Sequence, residues 1–132
     1  FGSHTWGHIR LDSRPLESVQ RDTVRWAEEV GSLVGPTNIL FYPHGGRPDG
    51  DDWHSTGPVF QYLQSQGFRI FASVGINSFS YIKKDISAVI CDRLHPDGTT
   101  LRNGKALEWY SQFYDAREII DLDVRPDLGV TW

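Results

Sequence analysis

The chain has 132 residues, 39% apolar and 23% charged, which suits one soluble globular domain with a packed core and excludes a disordered or fibrous chain. Its formal net charge is −4 and its pI is about 5.6, and no Lys/Arg-rich run occurs, so nucleic-acid binding is not expected. No stretch approaches the roughly 18 apolar residues of a membrane span, and none is expected here.

Phe1-Gly2-Ser3-His4 reads as the end of a buried strand. Ser13 as a cap, Pro15 in the first turn and Glu17 near the positive end of the dipole predict a helix. Leu16, Val19, Trp26, Val30, Leu33 and Val34 carry it at helical spacing, and Gly35-Pro36 stops it. Residues 38–42 predict a short apolar strand. Residues 43–55 hold Gly45, Gly46, Pro48 and Gly50 and three Asp, a loop long enough to suggest function. A second helix is expected over 56–66, with Val59, Phe60 and Leu63 on one face and Gly67 as its stop. Then follow a strand at 68–74, a polar and aromatic loop at 75–84 and a strand at 86–92. A turn at Pro96-Asp97-Gly98, a helix at 104–114 and a last short strand at 116–122 complete the chain. Alternating strands and helices predict an α/β fold, with parallel strands and helices packed outside. A closed parallel barrel takes roughly 200 residues or more, so the expectation is an arc of a (β/α) barrel.

The first chemical signal is His4-Thr5-Trp6-Gly7-His8. Two imidazoles four residues apart can meet one metal ion from a helical or strand-end turn; they also suit two surface or hydrogen-bonded histidines. The second is Phe41-Tyr42-Pro43-His44-Gly45-Gly46 at a strand end, where parallel α/β folds place their sites. Asp92-Arg93 also follows a strand end, where the arginine could orient an aspartate or a substrate. Asp49, Asp51 and Asp52 form an acidic loop that reads as solvated or as cation-binding, and His54 reads as surface. Trp53, Phe79 and Tyr81 suit either sugar stacking or core packing. The single cysteine, Cys91, cannot form an internal disulfide. It reads as a buried inert thiol, with a nucleophile as the alternative.

The ordered motifs resemble the polysaccharide deacetylase family. The segment from Gly2 to His8 is similar to its second motif, His-Ser/Thr-x-x-His, and Phe41 to Gly45 is similar to its third, Arg-x-Pro-Tyr-Gly. Gly67-Phe68-Arg69-Ile70-Phe71-Ala72 resembles its helix-to-strand step, so the likeness runs from Phe1 to about Val74. The resemblance implies that residues 1–132 are the C-terminal portion of one deacetylase-like domain. The first motif, with its two aspartates, would lie upstream; the absence of Met and a start at Phe1 led to the same expectation. The resemblance further implies a metal-dependent hydrolase that removes N- or O-acetyl groups from a polysaccharide or peptidoglycan-type glycan.

In that scheme His4 and His8 would hold a divalent ion, zinc by family habit, with an upstream aspartate, and a second aspartate would be the base. The backbone N–H of His44 would stabilise the oxyanion. Tyr42, Pro43, Arg47 and Arg93 would lie on the substrate side. Phe41 stands where the family has Arg, and Arg47 reads either as its replacement or as a solvated loop residue. His95 reads as a turn residue or as the general acid. The alternatives are a non-catalytic carbohydrate-binding or structural module on the same scaffold and an amidase acting on C–N bonds. The glycan substrate implies an extracellular or cell-surface location, in bacteria. A missing N-terminal half or a second chain is expected to complete the barrel.

Overall fold

In a computed structural model, residues 1–50, 57–74, 80–83, 87–93, 108 and 110–112 are described. The chain divides into two compact units, Phe1–Leu94 and His95–Trp132. In the second unit Glu108 and Tyr110 are helical, within the helix expected at 104–114, and Ser111 Oγ donates to the Glu108 carbonyl at 2.7 Å. The expected turn at 96–98 and strand at 116–122 lie outside the described residues.

The first unit opens with helix α1, Leu16–Trp26. It runs on through a π-helical turn, Ala27–Gly31, into the short α2, Ser32–Val34, and ends at Gly35 with φ 87°. Ser13 does not cap it. Pro15 sits at the cap position with extended backbone, and its carbonyl accepts the N–H groups of Ser18 and Val19 at 2.9 and 3.3 Å. The cap position falls on Pro15, two residues beyond Ser13, and no side chain caps the helix there.

Strand β1 is Ile39–Phe41, followed by a 3₁₀ turn at Pro43–Gly45 and helix α3 at Pro58–Ser65. Strands β2 (Ile70–Val74), β3 (Ser80–Lys83) and β4 (Ala88–Arg93) complete the unit. The sheet order is β1-β2-β4-β3. β1, β2 and β4 are parallel, with Ile39, Ile70 and Val89 in register; β3 is antiparallel to β4. Ser3 adds a parallel bridge beside Leu40, its N–H bonded to the Ile39 carbonyl and its carbonyl to the Phe41 N–H.

The α/β class is therefore as expected, with a small parallel sheet; a barrel of the deacetylase type is not shown by the described residues. The expectation of a loop throughout 75–84 is corrected by β3. A four-residue strand at a sheet margin forms because the neighbouring edge presents unpaired N–H and C=O groups, a demand that the side-chain pattern does not reveal.

One face of the sheet is buried against the helices. Leu40, Phe71 and Ile90 are register neighbours on it, and Leu11, Val19, Tyr42, Val59, Phe60 and Leu63 belong to the same cluster. Each such side chain contributes about 1.5–3 kcal/mol on burial. The Phe60 and Phe71 rings stand 4.9 Å apart. Helix α3 has Pro58 in its first turn, and the Asp49 carboxylate accepts the Val59 and Phe60 N–H groups at 3.1 and 2.8 Å. Asp49 is thus a cap reached from the loop, and a Cβ at Gly57 would collide with it.

Candidate functional site

The site gathers beyond the C-terminal ends of the parallel strands, the usual place for one in such a sheet. Ser3 is pinned to β1 by two backbone bonds, so His4 emerges where β1 ends. The His4 Nδ1 lies 2.9 Å from the Phe41 carbonyl oxygen. A carbonyl only accepts, so Nδ1 carries the proton and the neutral ring offers its Nε2 lone pair. Such an outer hydrogen bond fixes the tautomer and aim of a ligating histidine.

The loop from Thr5 to His8 is tied to helix α1 through Asp22. This buried carboxylate accepts the Trp6 N–H at 2.9 Å and the Gly7 N–H at 2.7 Å. Thr5 Oγ1 accepts the Ile9 N–H at 3.1 Å, and Ser3 Oγ accepts the Thr5 N–H at 3.2 Å. Outside, the Trp6 indole donates to Glu29 at 2.8 Å while the Arg25 guanidinium stacks 3.5 Å above the indole ring. Trp6 is therefore clamped to the helix.

From the other side, β1 delivers the turn Pro43–Gly45, where His44 adopts φ 56° and ψ 16°. Thr5 and His8 also have left-handed backbone, with φ 60° and 52°. Such conformations cost of order 1–3 kcal/mol each in non-glycine residues and gather where surrounding structure over-determines them, often at functional sites. Their result is a row of imidazoles. The His4 and His8 ring centres are 4.9 Å apart and those of His8 and His44 are 4.5 Å apart, both pairs edge-to-face. His8 and His44 are exposed; His4 is half-buried.

Burial is the main influence holding the His4 imidazole below its ordinary pKa. Its bond to the Phe41 carbonyl opposes this, and positive charge on Arg93, His8 and His44 adds to the lowering. Arg93 ends β4 in register with Val74, and its guanidinium carbon is 5.8 Å from the Phe41 ring centre. The Phe41 ring also covers Gly2, where a Cβ would collide with it. Phe41 thus lies as a floor near the arginine arriving from β4.

Of the residues expected at the site, His4, His8, His44 and Arg93 come together. The His44 ring joins the row, whereas only its backbone N–H had an expected role. Tyr42 is corrected: it is fully buried on the core side and packs with Phe71, ring centres 6.3 Å apart, so it does not line a substrate surface. The alternation along β1 explains this, since Tyr42 shares the face of Leu40. Pro43 is buried and shapes the turn, and Arg47 is half-buried in the loop beyond it. His95, Asp51, Asp52, Trp53, His54 and Phe79 lie outside the described residues, as does the Tyr81 side chain. Cys91 is partly buried, and burial followed by Asp92 raises its thiol pKa, in keeping with an inert thiol. Asp22 had no expected role. Its signal was an acidic residue in register with the apolar stripe of Val19 and Trp26.

Among the described residues no three His, Cys, Asp or Glu side chains stand so as to hold a metal ion. Nor, among them, is any helix long and apolar enough to cross a membrane. No family model, curated protein or solved structure matches the chain.

Proposed function

We propose that this site belongs to a metal-dependent hydrolase that removes acetyl groups from a glycan, with the acetylated sugar seated against the His4–His8–His44 row. The observation that carries this is His4, whose Nδ1–H is held by the Phe41 carbonyl so that a neutral Nε2 is presented beside His8. These residues fit two positions around a divalent ion, and further donors would come from outside the described residues. Such an ion, zinc by preference for nitrogen donors, would polarise the acyl carbonyl.

The chain's own groups have definable tasks. Asp22 holds the loop that carries His8. The left-handed turn at His44 aims that residue's backbone and ring toward His8. Burial favours the neutral form of His4, the form a metal ligand requires. A second reading, a glycan-binding module without catalysis, is favoured by the lack of a third ligand in a metal-holding arrangement among the described residues.

The test is acetate release from N-acetylated and O-acetylated oligosaccharides, with zinc and with chelator. Zinc-dependent release that His4→Ala and His8→Ala each reduce by at least about 100-fold is expected, the range seen when catalytic positioning is lost. Sugar binding with no acetate released by the wild-type chain would leave the binding module standing instead.

A further inference from the structure

Arg93 is the unspent charge of this site. Its Nε is buried and meets no hydrogen-bond acceptor, and no ion pair to it forms among the described residues. A buried charged donor left unmade costs more than most lost hydrogen bonds, so its retention needs a partner. Among the described residues, three partly buried or buried carboxylates are committed elsewhere. Asp22 serves the Trp6 and Gly7 amides, Asp49 serves the start of α3, and Asp12 pairs with Arg10. Asp92 adjoins Arg93 in sequence, but strand alternation sends consecutive side chains to opposite faces. Among the described residues, the Phe41 ring and, within electrostatic reach, His4 stand on the Arg93 side.

We propose that Arg93 anchors a carboxylate on the substrate, so that the site takes an acetylated sugar bearing an acid group in place of a neutral one. The guanidinium fork matches two carboxylate oxygens, and a single permanent cation matches a single negative charge. The Phe41 ring, its centre 5.8 Å from the guanidinium carbon, adds an apolar cation–π neighbour to that pairing. The anchor rests on the glycan reading given above, yet it concerns binding alone.

Two amino sugars that differ chiefly by a carboxylate, N-acetylmuramic acid and N-acetylglucosamine, separate the possibilities. Their affinities for the 132-residue chain would be measured in chelator by calorimetry or by chemical-shift titration. The acid is expected to bind at least about tenfold more tightly, its methyl ester to lose that advantage, and Arg93→Gln to abolish it. Arg93→Lys should retain part of it, which guards against misfolding of the glutamine variant. Equal binding of acid and ester, a preference that survives in a folded Arg93→Gln chain, or binding of neither sugar overturns the anchor. A preserved acid preference with no acetate release when zinc is supplied supports the anchor while removing the hydrolase.

Discussion

At the scale of single residues, His4 is where local chemistry is most constrained. Its ring is held by a backbone carbonyl on one side and flanked by His8 on the other, and burial lowers its pKa. The sign of the pH effect follows. The unfolded chain, with an ordinary value of 6.5, binds the proton before the folded one does. The His4 contribution to stability is therefore intact above pH 6.5 and declines as pH falls through 6.5 toward the lower folded value. Proton NMR of the His4 ring should give a midpoint under 6.5, and a midpoint at or above 6.5 would contradict the burial argument. Gly2 and Phe41 supply the complementary lesson, since the ring over the glycine leaves no space for a Cβ. The site's floor depends on a residue with no side chain.

At the scale of elements, helix α1 positions a loop that it precedes only in space. Asp22 presents two oxygens to two consecutive amides, which is how a segment with left-handed residues at Thr5 and His8 is held in one shape. Asp22→Asn keeps the size but replaces one acceptor by a donor facing an N–H. A loss of about 1–3 kcal/mol in urea unfolding is expected, together with displaced His4 and His8 ring resonances. Unchanged stability and unchanged resonances would show that the loop is fixed by other contacts. The π-helical turn at Ala27–Gly31, after α1, is compatible with Trp26 packing: Gly31 sits under the indole, where a Cβ would be 3.3 Å from the ring.

At the scale of the whole molecule, the described part of the first unit leaves apolar side chains in water. Ile82 on β3 is 70% exposed and Leu33 at the end of α2 is 83% exposed. β3 is a short strand at the end of the sheet order, and an edge bearing an apolar side chain invites pairing with another chain. Analytical ultracentrifugation of the 132-residue chain should therefore reveal species heavier than 15.0 kDa. Ile82→Lys should shift the distribution back toward the monomer. A monodisperse wild-type monomer at tens of micromolar would refute the association and the expected need for a completing partner.

Local pattern was enough to determine the elements whose side chains repeat with a period: α1 from its apolar stripe, α3 from Val59, Phe60 and Leu63, and β1, β2 and β4 from their apolar runs. It also singled out His4 and His8 by their four-residue spacing, and the His44 turn and Arg93 by their place at strand ends. Tertiary structure decided what depends on partners distant in sequence. It paired β3 with β4 by backbone bonding alone. It sent Tyr42 into the core by strand parity and gave Asp49 to the α3 amides. It brought Asp22 to the histidine loop across 16 residues and set the His44 ring beside His8. Periodicity records which face an element buries, whereas the hydrogen-bond partner of a buried polar group is settled only when elements meet.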